Sequence, residues 1–304
     1  MKRSLSTAAL LVLGVALPAA AADYAQQGMR TAYPTNWQIG EDNPLRFEAG
    51  IRYWYSLGSQ SVDVGGENFT AKDTSHILEG HFRIDDDFTS TFLKGQAGLS
   101  VVTEGEYSGS LAPAGATSFN GGQIGQLGAD FGWTPFGSEN FKFGALVGYQ
   151  YLRESPDRAR LDVEHTDGLN IHALRLGITG RAELSDMIDL DVEVAAIPYT
   201  FTQGATAEVP FDDTQMQGIT VNRTNTELTG SLYGASGQVM LGIHPTENLT
   251  LRVGGRAWML TGPSSQTTKY WEASEPDRFL YSSELLQGLS LVRYGALAEL
   301  TGRF

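Results

Sequence analysis

The sequence predicts an all-β chain closed into a transmembrane antiparallel up-and-down β-barrel of about ten strands, and three observations predict it. Segments of about 10 to 15 residues alternate apolar with polar side chains, the period-two pattern of a wall with lipid on one face and a lumen on the other. The connections between them are short and long in turn, as periplasmic turns and external loops are. The chain also opens on an export signal and closes on an aromatic residue within a strand pattern.

The amino terminus carries Lys2 and Arg3, an apolar run from Ala8 to Leu17 and the small residues Ala19 to Ala22, so residues 1–22 read as a secretory signal peptide. Residues 23–44 are polar, contain Pro34 and read as a periplasmic leader, which leaves 45–304 for the barrel. The net charge of −14 argues against nucleic acid as a partner, because phosphate binding needs a basic face. With no cysteine there is neither a disulfide framework nor a thiolate metal site. Beyond the signal no apolar run approaches the ~18 residues of a membrane helix, so any crossing is made by strands.

The first strand, Leu45 to Leu57, sets Phe47, Ala49, Ile51, Tyr53 and Tyr55 against Arg46, Glu48 and Arg52. Gly58 to Ser75 lacks that pattern and reads as a loop. His76 to Asp85 alternates again, Asp85, Asp86 and Asp87 form a turn, and Phe88 to Val102 is the third strand before a loop from Thr103 to Gly122. Gln123 to Trp133 and Phe141 to Arg153 flank a turn from Thr134 to Asn140, and a loop covers Glu154 to Gly168. Asn170 to Glu183 and Ile188 to Pro198 flank a turn from Leu184 to Met187. The loop Tyr199 to Glu227 follows, then Leu228 to His244, a turn from Pro245 to Asn248, and Leu249 to Leu260. A loop from Thr261 to Gln287 precedes the closing strand, Gly288 to Phe304, whose apolar face runs from Val292 through Tyr294 and Leu300 to Phe304.

The polar faces carry both signs of charge: Arg46, Glu48, Arg52, Glu79, Arg83, Lys94, Asp130, Lys142, Arg175, Arg181, Glu183, Asp189, Asp191, Glu193, Arg252, Arg256, Arg293, Glu299 and Arg303. A ten-strand lumen is narrow, and buried charges must pair, so the expectation is a salt-bridged plug rather than an ion path. Gly122, Gly125 and Gly128 sit within a strand pattern and not at a strand-to-helix turn, which argues against a nucleotide site. The histidines His76, His81, His165, His172 and His244 lack metal-site spacing. No catalytic, cofactor-binding or metal residue is therefore assigned, and no cofactor is expected.

Two stretches carry a family resemblance. Gln126 to Arg153 contains Asp-Phe-Gly-Trp-Thr-Pro and then Phe-Gly-Ala-Leu-Val-Gly-Tyr-Gln-Tyr-Leu-Arg-Glu, which runs on to Glu154. Leu232 to Trp258 contains Gly-Ile-His-Pro-Thr-Glu-Asn-Leu-Thr-Leu-Arg-Val-Gly-Gly-Arg-Ala-Trp. The chain resembles the ten-stranded omptin barrels of Gram-negative outer membranes, surface proteases that use an Asp-x-Asp pair in the second loop and an Asp-x-His pair around the fourth. Here the second loop offers Glu104 and Glu106, and Tyr199 to Glu227 holds no histidine, so the resemblance extends to the scaffold and not to the catalytic set.

The functional expectation is an integral outer-membrane barrel, reached by signal-directed export, with a surface-structural or interaction role. The alternatives are an omptin-like endopeptidase using Glu104, Glu106 and a histidine such as His165, or a narrow passive pore. Expected partners are outer-membrane lipid and lipopolysaccharide, and the barrel-assembly machinery through the strand ending at Phe304. The expected state is a monomer.

Overall fold

A computed structural model of the chain describes residues 44–64, 67–110, 118–138, 140–157, 169–204, 221–272 and 275–304. The expected signal peptide and most of the leader, residues 1–43, lie outside the described residues. All regular structure among the described residues is β-strand: β1 Leu45–Val64, β2 Glu67–Asp86, β3 Thr91–Gly109, β4 Ser118–Ser138, β5 Phe141–Asp157, β6 Leu169–Ser185, β7 Ile188–Gly204, β8 Val221–Gly230, β9 Tyr233–Thr246, β10 Leu249–Glu272 and β11 Glu275–Arg303.

Each strand pairs antiparallel with its neighbours, and β1 pairs with β11 from Glu48↔Arg303 to Asp63↔Gln287, which closes the sheet. The eleven strands make ten staves, because β8 and β9 are successive pieces of one stave interrupted at Ser231 and Leu232. β10 follows that break: Leu249 to Thr261 pair with β9 and Ser264 to Glu272 with β8, with a register shift between Gly262 and Ser264. Closure leaves no free edge in the part that meets hydrocarbon, where an unpaired amide would cost several kcal/mol.

One end of the barrel carries tight turns. Asp86 caps the first, its carboxylate accepting from the Phe88 amide at 2.9 Å and the Thr89 hydroxyl at 2.8 Å. This places the start of the third strand at Thr91 rather than Phe88. Between β4 and β5 the turn is tighter than the expected Thr134 to Asn140, since the ladder runs to Ser138↔Phe141 and Gly137 takes φ +123°, a value that suits glycine. Glu183 is exposed at this end and not in the lumen, because the ladder reaches the turn after β6 one residue pair later.

At the other end the expected long loops are largely strand. β1 and β2 continue to Val64↔Glu67, β2 and β3 to Phe69↔Gly109, and β10 and β11 to Glu272↔Glu275. The physical reason is that the sign of the alternation reverses. Between the turns and about Tyr55 on β1, the outward residues are apolar (Phe47, Ile51, Tyr53, Tyr55) and the inward ones charged (Glu48, Arg52). Past that level the inward residues become apolar, with Val62, Phe69, Ala71 and Phe119 buried, while Ser59, Lys72, Glu104, Glu106 and Asn120 face outward. In lipid a barrel wants its apolar face outside, whereas in water it wants that face inside. The level of inversion marks where the wall leaves the bilayer.

Aromatic belts bound the apolar band. Trp133, Phe136, Phe141 and Phe143 cluster at the turn end, with ring centroids 5.3 to 6.4 Å apart. At the other end Tyr53, Tyr55 and His76 form one group, and Tyr149, Tyr151, His172 and Phe201 another. Such belts are the amphipathic anchors of a membrane interface. A charge placed within the band and one placed beyond it should therefore differ: Val147→Arg is expected to cost about 2–4 kcal/mol, and Leu285→Arg about 0–1 kcal/mol, in urea unfolding from lipid vesicles.

Candidate functional site

The interior is built in two storeys that follow the inversion. In the storey nearer the turns, inward positions of β1, β2, β3, β4, β6, β7, β10 and β11 converge in two groups of ion pairs. Arg252 on β10 reaches Glu48, Asp189 and Glu299 at 3.4, 3.0 and 3.0 Å. Arg52 on β1 joins Glu299 at 2.5 Å and Glu79 at 3.3 Å, and Glu79 in turn takes Arg256 at 2.9 Å. Glu48 also holds Arg181 and Arg303, each at 3.2 Å, and Asp191 lies 3.7 Å from Arg181 and 4.0 Å from Arg83. A second group closes on itself, Arg175 and Lys94 each contacting both Asp130 and Glu193. The Gln96 side-chain oxygen accepts from Arg52 and from Arg256, at 3.3 and 3.2 Å.

Charge balances in this storey. Arg52, Arg83, Lys94, Arg175, Arg181, Arg252, Arg256 and Arg303 face Glu48, Glu79, Asp85, Asp130, Asp189, Asp191, Glu193 and Glu299, eight of each sign among the described residues. His81 and His244 line the same space, His81 3.6 Å from Glu299 and His244 3.2 Å from Asp189. The expected salt-bridged interior is what the geometry shows. Between these groups lies a cavity of about 50 Å³, room for a few waters.

The outer storey is mostly apolar. Trp54, Ile77, Ile124, Leu152, Ile171, Ile197, Leu232, Leu260, Leu289 and Leu291 are buried in one cluster that fills the barrel from the outer belt outward. Trp54 forms the floor, with the Arg256 guanidinium 5.1 Å from its ring. Within this fill, beside buried hydroxyl and amide side chains such as Gln60, Thr103, Thr200 and Gln266, stands one buried ion cluster among the described residues. Arg293 on β11 grips Asp73 on β2 through Nη1 and Nη2 at 2.9 and 3.0 Å, and Glu154 on β5 through Nε and Nη2 at 3.0 and 2.6 Å. Its remaining N–H reaches the Ser56 hydroxyl at 3.0 Å, so all five donors are used. Gly58 makes room for the group, since a Cβ there would stand 2.2 Å from Asp73 Oδ1 and 2.5 Å from Arg293 Nη2.

Sequence reasoning missed this cluster, because Asp73 and Glu154 fall in segments read as loops. The signal was the parity: Asp73, Ser75, Ile77 and Glu79 continue one face of β2, as Glu154, Leu152 and Gln150 do for β5. Glu104 and Glu106 lie exposed on the outer face of β3, opposite Thr74 and Lys72, and the structure brings no described histidine to them. His165 lies outside the described residues. Gly122, Gly125 and Gly128 lie in β4, and Asp87 at the first turn is tied to Arg46 at 2.8 Å and Lys142 at 2.7 Å. His76 and His172 face outward, each Nδ1 meeting a tyrosine hydroxyl, Tyr53 at 2.5 Å and Tyr149 at 2.6 Å.

No protein-family model matches the chain, and no curated protein matches it. Among solved structures, the outer membrane protease OmpT from Escherichia coli superposes with a TM-score of 0.55 at 11% identity, over 86% of this chain and 96% of that one. The translocator domain of the autotransporter NalP from Neisseria meningitidis covers 98% of both chains at 12% identity, with a TM-score of 0.35. At these identities the likeness to OmpT is one of fold: a closed antiparallel barrel of ten staves. An omptin-like scaffold is compatible with it.

Two outcomes follow from the electrostatics. Arg252→Met removes the cation shared by three buried carboxylates, leaves one negative charge of the network unbalanced and should lower stability by about 3–5 kcal/mol, read from urea unfolding in vesicles. At the first turn, partial burial raises the Asp87 carboxyl, but the hydrogen bond from Lys142 and the charge of Arg46 outweigh it and hold it below its ordinary value. A depressed carboxyl stabilises the fold above its unfolded titration and loses that contribution as pH falls through the folded one. The melting temperatures of wild type and Asp87→Asn should therefore differ slightly at neutral pH and converge in acid.

Proposed function

We propose that this protein is an integral outer-membrane barrel, exported by its signal sequence, that acts as a surface-structural or interaction module and neither conducts nor catalyses. The observation that carries the reading is the outer storey: buried apolar side chains fill the barrel where a channel mouth or a substrate groove would open. Below it the balanced ion pairs line a cavity of about 50 Å³, room for a few waters. A wall that continues past the membrane with a dry core of its own is a stiff platform, and loops carried on rigid elements are the usual place for recognition.

The partners in this reading are lipid and lipopolysaccharide around the belts and the assembly machinery at the strand ending in Phe304. In support of the first, Tyr149, Tyr151 and His172 face the outer interface, with Arg153 next along the same face of β5. The closing strand supports the second, since Phe304 projects from the turn end, its amide bonded to the Phe47 carbonyl at 2.9 Å.

In planar bilayers the purified protein is expected to give no discrete conductance steps, and to leave a pool of peptides intact. Stepwise current would favour a narrow pore. Cleavage that disappears in Glu104→Ala would favour the omptin-like hydrolase.

A further inference from the structure

The Arg293 cluster does not balance. It sets two carboxylates, Asp73 and Glu154, against one guanidinium, and all three side chains are at most 3% exposed. The inner storey has no cation to lend, because its eight positive and eight negative groups already pair with one another. Trp54 and Ile77 separate the two levels. Arg153, next in sequence to Glu154, stands on the opposite face of β5. Among the described side chains, the neighbours on the adjoining strands are Ser56 and Gln60 on β1, Ser75 on β2, Thr103 on β3, Ile124 on β4 and Leu169 on β6, none of them ionisable; Asp157, three residues on from Glu154 in β5, accepts from the Tyr107 hydroxyl at 2.5 Å. An unbalanced charge in such a place costs far more than taking up a proton.

We propose that the cluster is a proton-binding site, with Asp73 and Glu154 holding one proton between them, and that this proton keeps the outer storey closed. Asp73 accepts from Arg293 twice and from the Ser75 hydroxyl at 2.6 Å. The Glu154 carboxyl accepts from Arg293 at 3.0 and 2.6 Å. The bound state is then Arg293 as cation facing one carboxylate and one neutral carboxyl, a net charge of zero. Releasing the proton leaves two anions on one cation within an apolar fill that ties β1, β2, β5 and β11 together.

The linkage has a definite sign. A carboxyl that keeps its proton in the folded state to higher pH than in the unfolded chain stabilises the fold at low pH, and that contribution is lost as pH rises through the folded titration. One proton changes the folding equilibrium constant by up to about tenfold per pH unit in that range. The test is the midpoint of heat-induced unfolding, followed from mildly acid to alkaline pH, for wild type, Glu154→Gln and Glu154→Ala. Gln copies the neutral carboxyl, so Glu154→Gln should match wild type at the acid end and lose the alkaline decline, while Glu154→Ala should be weaker throughout. A Glu154→Gln midpoint as low as that of Glu154→Ala at acid pH, or an alkaline decline equal to that of wild type, would overturn the proposal. Infrared absorption of wild type at neutral pH decides independently of how the variants fold: a buried protonated carboxyl band supports the site, and its absence removes it. Neither readout depends on conductance or on peptide cleavage, so the role proposed for the barrel stands or falls separately.

Discussion

Hydrocarbon offers no partner to a backbone amide, and the rest of this structure follows from that constraint. The ladder has to close on itself, so β1 must meet β11, and a wall of ten staves encloses a lumen too narrow to be left wet. Every inward side chain then has to find its match inside. The charges on the inner faces do so in pairs, most arginines being shared among carboxylates, as Arg252 is between Glu48, Asp189 and Glu299 from distant parts of the chain. Such a lattice is not a large source of stability compared with an apolar fill. It does oblige the staves to keep one register, because a slip of one residue would turn these charges into lipid.

The same wall solves a second problem once it passes the outer belt. There the surrounding medium is water, and the two faces exchange character without any change in strand direction; β1 keeps its period through this level, whereas β3 and β7 each carry a bulge, at Val101–Val102 and Pro198–Tyr199. Ser59 and Lys72 now look outward, while Val62 and Phe69 look in. The result is one continuous sheet that behaves as a membrane protein at one end and as a soluble barrel at the other, with Trp54 and the Arg293 cluster near the join. That join is also where polar and apolar demands meet, which is why an ion cluster and its glycine notch at Gly58 occur at this level.

Much of this was legible in the sequence. Alternation identified every stave that crosses the bilayer, and it placed Arg52, Glu79, Arg175, Glu193, Arg252 and Glu299 in the lumen, where they are found. What misled was the assumption that alternation carries a fixed sign. Gly58 to Ser75 and Thr261 to Gln287 are strand for most of their length, and in the first of them small and hydroxyl-bearing residues hide a reversed pattern that only a neighbouring strand makes visible. For the same reason Asp73 and Glu154 passed as loop acids. Pairing partners for Arg293, at sequence separations of 220 and 139, belong to the closed topology and to no local window.

The seam between β1 and β11 joins Glu48 to Arg303, almost the full length of the barrel sequence. Its consequence is one of timing. Hairpins can form in sequence order, but the first strand keeps a bare edge until the last one arrives, and no shorter portion of the chain can hide it. Contacts this far apart are slow to form, and an open apolar sheet meanwhile is prone to pair with whatever strand it encounters. The closed form is therefore reached in a final step that commits the whole wall at once, and the waiting edge before it is the period when this chain most needs an escort.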